Sequence, residues 1–271
     1  MGYNKKALGF IQNVHIYRYN SRKIRFRRER IFIMNKTIGV LFADTMEYGP
    51  FLQWAKEQGT TETDRRGNDS CTVTLIQGDR KIDVIGVRCG IGKVNAASAT
   101  AFLIADDKVD MILNAGLSGA VQKLRREDMI AVETYVECDY DLTAIGKPLG
   151  VKADGQKYIY TADEKLMSYA LESSGIIKAK AGTGDIFLTD KVKKELYRDT
   201  FGIESFDMET AAIAGVCDKS GVPMLSLRKI SDDADDASVQ DYREMNNRQE
   251  VCLTELLVNI FRRILADDSQ W

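Results

Sequence analysis

Short apolar runs alternate with amphipathic stretches along most of this chain. Ile38–Ala43, Thr72–Gln77, Lys81–Arg88, Met111–Asn114, Met129–Val136, Ile177–Thr183, Ser205–Met208 and Met224–Ile230 read as strands, with a further short strand expected around Phe187. The turn Gly78-Asp79-Arg80 separates the second and third of these, and Gly116-Leu117-Ser118-Gly119-Ala120 stops the fourth. Helical spacing covers Pro50 to Gln58, with the proline in a first turn, Val94–Ala105, Ala162–Ser173 before a stop at Gly175, and Asp190–Arg198. Glu209–Lys219 follows, with Gly221 just beyond it, and Arg243–Leu265 reads as one long closing helix. Strand–helix alternation of this kind implies an α/β fold, a three-layer α/β/α sandwich around a mostly parallel, largely buried mixed sheet.

The first 33 residues stand apart from this pattern. They hold nine Lys/Arg against one acid, Glu29, a balance of +8, which leaves −10 on the remaining 238 residues of a chain whose net charge is −2. Three explanations compete: a basic arm for anionic partners, an Arg-rich transit peptide, or translation that really begins at Met34, where Met34-Asn35-Lys36-Thr37-Ile38-Gly39-Val40 reads as the opening of the first strand. Residues 1–33 are therefore expected not to belong to the fold. The other residues, 34–271, with 44 % apolar content and three prolines in the whole chain, suit one large domain.

Composition narrows the chemistry. The near-neutral total predicts no field for nucleic acid or a membrane surface. No apolar run reaches the roughly 18 residues of a spanning helix. Five dispersed cysteines (Cys71, Cys89, Cys138, Cys217, Cys252) without C-x-x-C spacing point to reduced thiols in the cytoplasm rather than disulfides or structural zinc. The single histidine, His15, lies in the basic segment, so Ser-His-Asp triads, Cys-His dyads and histidine metal centres find no support. Carboxylates, hydroxyls, backbone groups or Cys89 remain.

Carboxylates stand where apolar strands give way to polar chain. Phe206-Asp207-Met208-Glu209 leads into a small-residue helix, and Arg228-Lys229-Ile230-Ser231-Asp232-Asp233 ends a buried-looking strand. A helix N-terminus stabilises negative charge, and the carboxyl ends of strands in α/β folds are where ligands bind. Taken singly, Asp207 and Asp232 are equally well read as caps of the helices that follow.

Taken together, these segments resemble the purine nucleosidase and nucleoside phosphorylase superfamily, closest to 5′-methylthioadenosine/S-adenosylhomocysteine nucleosidases, from about Ile38 to Leu265. Three further landmarks carry the likeness: Ala43-Asp44-Thr45-Met46-Glu47 after the first strand, Cys89-Gly90-Ile91-Gly92-Lys93-Val94-Asn95, and Asn114-Ala115-Gly116-Leu117-Ser118-Gly119-Ala120. Gly182-Thr183-Gly184-Asp185-Ile186-Phe187-Leu188 is a fourth. The resemblance implies that Glu47 orients or deprotonates the attacking water, with Asp44 as second candidate, and that Asp232 protonates the purine N7. It implies substrate contacts for Glu209 at the ribose hydroxyls, Met208 beneath the sugar, Asp207 in the same site, and Ser231 beside Asp232. Phe187 is placed on the purine, the backbone around Leu188 on the base edge, and Gly90 where its backbone approaches the ligand. Arg228 is expected to pair with Asp232 or a neighbour, and Tyr242 to close over the 5′ substituent, with helix-face packing as the rival reading. Cys89 is expected among the substrate contacts, but it stands where these nucleosidases usually carry serine, which weakens a contact to the attacking water or the ribose; a small buried residue is the rival reading, and a nucleophile is not expected. A homodimer and no cofactor or metal are implied as well.

This residue set suits hydrolysis of an N-glycosidic bond. Adenine leaves well only when protonated, which a carboxyl with a raised pKa supplies. The sugar becomes oxocarbenium-like, and a carboxylate on its hydroxyls favours that charge. Water attacking from the opposite face gives inversion. Two rivals stay open. A phosphorylase of the same fold would need a cationic phosphate site, for which Arg88 is the one suitably placed base. A non-catalytic nucleoside sensor would not need all three acids. The nucleoside itself, including futalosine or adenosine, is not fixed by the sequence.

Overall fold

The computed structural model describes residues 34–153, 158–235, 238–247 and 253–267; the basic segment 1–33 lies outside the described residues. Ten strands and seven α-helices follow in order: β1 Met34–Phe42, α1 Thr45–Glu57, β2 Thr61–Arg65, β3 Asn68–Gln77, β4 Arg80–Arg88, α2 Lys93–Ala105, β5 Met111–Ala120 and β6 Met129–Glu137. Then come β7 Ile159–Thr161, α3 Glu164–Leu171, β8 Ile176–Thr183, α4 Lys191–Phe201, β9 Ser205–Asp207, α5 Thr210–Ser220, β10 Met224–Asp232, α6 Ser238–Asn247 and α7 Thr254–Ala266.

The strands form one mixed sheet. Its middle, β4-β1-β5-β10, is parallel throughout, as are β6-β8 and β8-β9. Antiparallel pairs add the β2-β3-β4 hairpins at one side and join β10 to β6, β6 to β7 and β5 to β9. Because β5 pairs with β10 and, at Gly119 and Ala120, with β9, the strands β5-β10-β6-β8-β9 close on themselves.

Alternation along β1 divides the core between the two faces. Ile38, Val40 and Phe42 pack with α1, α3 and α7; Leu41 packs with Ile85, Val87 and the small-residue helices α2 and α5. The closing helix α7 shows why it docks: Leu256, Leu257, Ile260, Phe261, Ile264 and Leu265 make one buried stripe at helical spacing. Each such fully buried side chain contributes about 1.5–3 kcal/mol by removal from water.

Four expectations change. The expected helix Arg243–Leu265 is two helices, α6 and α7, with 248–252 outside the described residues. The two bury different targets: α6 puts Met245 against Leu117, whereas α7 joins the large cluster on β1 and β4. Gly116 does not stop β5, which runs on to Ala120 because glycine in a strand marks close approach as readily as an end. No strand forms around Phe187; that loop is tied by side chains instead, with Asp185 N–H on Asp139 (2.9 Å) and the Asp185 carboxylate on Lys93 N–H (2.8 Å). Finally, α1 starts at Thr45 rather than at the proline, because Asp44 and Glu47 form a capping box five residues earlier. No helix among the described residues is long and apolar enough to cross a membrane.

Candidate active site

The chain leaving β1, β5, β8, β9 and β10 lines one cleft at the carboxyl edge of the sheet, with about 730 Å³ of empty space including its open mouth, the size of a small-molecule site. Glu47, Asp207, Met208, Glu209, Ser231, Asp232, Phe187, Leu188 and Tyr242 all line it. Cys89, Gly90 and Arg228 are not part of that lining.

Glu47 is fixed by backbone. Asp44 caps α1 through Oδ1, which accepts from Met46 N–H (2.8 Å) and Glu47 N–H (3.0 Å). Glu47 Oε2 returns to Ala43 N–H (2.7 Å) and Asp44 N–H (3.4 Å), and Oε1 accepts from Leu117 N–H (2.8 Å). Burial and then the charge of Asp44 push Glu47 up to about 8, while Arg228 and the Leu117 N–H pull it down. A carboxyl poised near neutrality suits proton transfer. It also makes stability depend on pH. The folded chain keeps this proton after the unfolded chain, at its ordinary value of 4.5, has released it; the contribution is full below 4.5 and is lost as pH climbs to about 8. Glu47→Gln has no such loss, so its melting temperature relative to the natural chain should rise between about pH 5 and pH 8. A difference that stays flat over that range would show that Glu47 titrates alike folded and unfolded.

Arg228 lies beneath the acids. It is fully buried, and its guanidinium donates to Asn114 Oδ1 (2.6 Å), Thr210 Oγ1 (2.6 Å), Leu117 C=O (3.1 Å) and Ser226 Oγ (3.2 Å). Its ion pairs are with Asp207 (3.5 Å) and Glu209 (3.7 Å), so of the partners expected from sequence it takes neighbours rather than Asp232. Burial opposes its charge, and Asp207, Glu209 and Glu47 more than offset that, holding it protonated. The register opposes Arg228 to Gly116, where a Cβ would stand 2.5 Å from Glu47 Oε1 and 2.6 Å from Arg228 Nη1. Only glycine leaves room for the two to lie across the strand.

Asp207 and Glu209 divide their work. Asp207 Oδ1 accepts from Glu209 N–H (3.0 Å), Thr210 N–H (2.9 Å) and Thr183 Oγ1 (2.9 Å), so it caps α5 and fixes the entry to that helix. Glu209 Oε1 accepts from Gly92 N–H (3.0 Å) across the cleft, and burial pushes it up to about 6 against the pull of Arg228. Cys89 Sγ turns away toward the carbonyls of Phe42 (3.2 Å) and Gly90 (3.3 Å), and burial drives its thiol up to about 12. A thiol so placed is not poised to attack.

Asp232 reaches the cleft through an irregularity. The β10–β5 register shifts between Ile230 and Asp232, which pair with Ser118 and Gly119. Regular alternation would set Asp232 on the face of Ile230, which is wholly buried in the second cluster; the bulge re-aims it. Its Oδ2 accepts from Ser231 Oγ (2.6 Å) and Oδ1 from Ala234 N–H (2.9 Å). Gly119 makes way, since a Cβ there would stand 2.8 Å from Asp232 Oδ1.

Phe187 is 44 % exposed at the cleft mouth and meets Tyr242 edge-on, ring centroids 5.6 Å apart. Tyr242 O–H donates to Asp44 Oδ2 (2.8 Å), linking α6 to the cap of α1. Sequence reasoning missed Ser118: the residue lines the cleft, and its buried Oγ has no hydrogen-bond partner among the described residues. Such a hydroxyl costs about 1–3 kcal/mol unless a ligand satisfies it. Its place between Gly116 and Gly119 was the available signal. Among the described residues no group of three or more His, Cys, Asp and Glu could hold a metal ion.

Three buried acids from three separate strand ends, beside an exposed aromatic, share one small-molecule cleft at the carboxyl edge of an α/β sheet. A family model described as the phosphorylase superfamily matches residues 37–262, and the chain belongs to that superfamily. It is 34 % identical over 191 residues to the 5′-methylthioadenosine/S-adenosylhomocysteine nucleosidase of Bacillus velezensis, covering 68 % of this chain and 82 % of that one. It is 36 % identical over 160 residues to the aminodeoxyfutalosine nucleosidase of Campylobacter jejuni, covering 57 % and 69 % of the two. The crystal structure of the Helicobacter pylori 5′-methylthioadenosine/S-adenosylhomocysteine nucleosidase with butyl-thio-DADMe-Immucillin-A superposes with a TM-score of 0.77 at 26 % identity, over 85 % of this chain and 99 % of that one.

Proposed function

We propose that this cleft hydrolyses the N-glycosidic bond of 5′-methylthioadenosine, S-adenosylhomocysteine or a related purine nucleoside, releasing adenine. The convergence of Glu47, Glu209 and Asp232 on one cleft carries the reading. Asp232 gives its proton to N7 of the departing base. Glu209 accepts from the ribose hydroxyls and favours the positive charge that develops on the sugar, while Met208 packs beneath it and Phe187 stacks on the purine. Glu47 holds water on the face opposite the base, so the product is inverted. Asp207 and Arg228 act one step removed, by keeping Glu209 and the start of α5 in place. The reaction needs no cofactor.

Water is favoured over phosphate by charge. The cleft lining holds Asp44, Glu47, Asp207, Glu209 and Asp232 and, among the described residues, no lysine or arginine. Arg88, the one base suited to a phosphate site, is bonded to Asp69 instead. Incubation with 5′-methylthioadenosine in phosphate-free buffer should release adenine as fast as with phosphate present. Release that depends on added phosphate would make the chain a phosphorylase, and binding without release would make it a sensor.

A homodimer belongs to the same reading: Ile91 and Val94, 51 % and 79 % exposed beside the cleft, offer apolar surface for a second copy. The cytoplasm is the compartment that suits four buried free thiols, Cys71, Cys89, Cys138 and Cys217. We also read residues from Met34, where β1 begins, as the catalytic domain.

A further inference from the structure

One wall of the cleft does not touch the reacting atoms. Base and sugar chemistry use Asp232, Phe187, Glu209, Met208 and Glu47, which leaves Asp44 and Tyr242 together beside the nucleophile's helix. Both are partly buried. With the base over Phe187 and the ribose against Glu209, the group carried on C5′ faces this pair. The wall is polar. Asp44 Oδ1 is committed to the N-terminus of α1, whereas Oδ2 accepts from the Tyr242 hydroxyl (2.8 Å), and both residues line the cleft. A carboxylate oxygen accepts two donors, so Oδ2 can take one from the ligand as well.

Resting on the nucleosidase reading above, we infer that Asp44 makes this site select nucleosides whose C5′ carries a hydrogen-bond donor, a hydroxyl or an ammonium, over those with a bare thioether there. A methylthio group has no donor. Seated against Asp44, it strips water from the carboxylate and returns nothing. A hydroxyl or ammonium replaces that water with a hydrogen bond to a charged acceptor, an exchange that discriminates by about tenfold or more. Tyr242 holds Oδ2 in position through its own hydroxyl and keeps bulk solvent from competing.

The test compares kcat/KM for adenosine, 5′-amino-5′-deoxyadenosine and 5′-methylthioadenosine on the full chain. All share base, ribose and catalytic groups, so their ratios isolate the 5′ wall and do not depend on the fraction of active protein. The expected result is that adenosine or the amine exceeds the thioether by at least about tenfold; which of the two leads tells hydroxyl from ammonium. In Asp44→Asn one oxygen can still cap α1, while an amide N–H₂ takes the place of Oδ2; an ammonium then meets a donor, whereas a hydroxyl can turn a lone pair to it. The advantage of the amine over the thioether should then fall by about tenfold, and that of adenosine by less. A natural chain that turns over the thioether as well as either donor-bearing nucleoside would overturn the inference, as would an amine-to-thioether ratio unmoved by Asp44→Asn. Absence of adenine from all three substrates would instead sink the nucleosidase reading itself.

Discussion

Asp232→Asn and Glu47→Gln should each cut adenine release by about 10²–10⁴-fold, yet p-nitrophenyl riboside should rescue only the first. The asparagine keeps the size of the acid and an acceptor for Ala234 N–H, but it delivers no proton to the base. A leaving group that departs as a stable phenolate needs none. Glu47→Gln fails for another reason. Both oxygens of Glu47 face backbone N–H groups, so the amide must turn its own N–H₂ toward a donor and loses its hold on the water. A better leaving group does not repair that. Equal rescue of both variants, or near-normal adenine release by Asp232→Asn, would assign the acid elsewhere, with Asp207 or Asp233 next. Asp207 is already engaged by three donors on one oxygen, which makes it the poorer proton source.

Arg228→Met should be the most destabilising single change in the site. The guanidinium is the buried counter-charge of Asp207 and Glu209 and also binds Asn114, Thr210 and the Leu117 carbonyl. Removing one partner of a buried charge pair typically costs about 3–5 kcal/mol, because the acids stay behind without compensation. Equilibrium urea unfolding measures it. The same variant should move the acidic limb of the pH–rate profile upward, since Arg228 lowers both Glu209, at about 6, and Glu47, at about 8. A loss below about 1 kcal/mol, the size expected of a solvent-exposed ion pair, would mean that water already solvates these groups. A second change, Asp207→Asn in the Arg228→Met chain, should recover part of the loss by removing the stranded charge.

The helices and the central strands were legible because each buries one face, and periodicity reports burial. The elements that escaped bury little. Strand β2, Thr-Glu-Thr-Asp-Arg, is almost wholly exposed and exists through its ladder with β3; β7 is three residues long. The turn from β2 to β3 did carry a local mark in Gly67, since Arg66 and Gly67 both have positive φ, a pairing that a type I′ two-residue turn demands. The acids of the site were legible as residues at strand ends, and the cleft brings Glu47, Glu209 and Asp232 together. What composition and spacing leave open is depth. Arg228 stands in a strand just as a ligand-binding arginine would, and only the fold puts it under the acids rather than among them. The Asp44–Tyr242 bond spans 198 positions of sequence, so no local pattern announces it. Ser118 lacks a partner, and a missing partner is visible only when all the neighbours are in place.

The bulge in β10 bears on how such a site changes over generations. A point substitution can alter what stands at position 232, but it cannot alter where that position points. Direction is held by chain length between Ile230 and Asp232. A residue gained or lost in the ladder before Ile230 would slip the register by one and turn position 232 over to the other face. The acid and its aim are thus inherited through different kinds of genetic event. Substitutions at cleft walls such as Tyr242 can retune the substrate, while insertions and deletions that slip this strand's register end the chemistry outright.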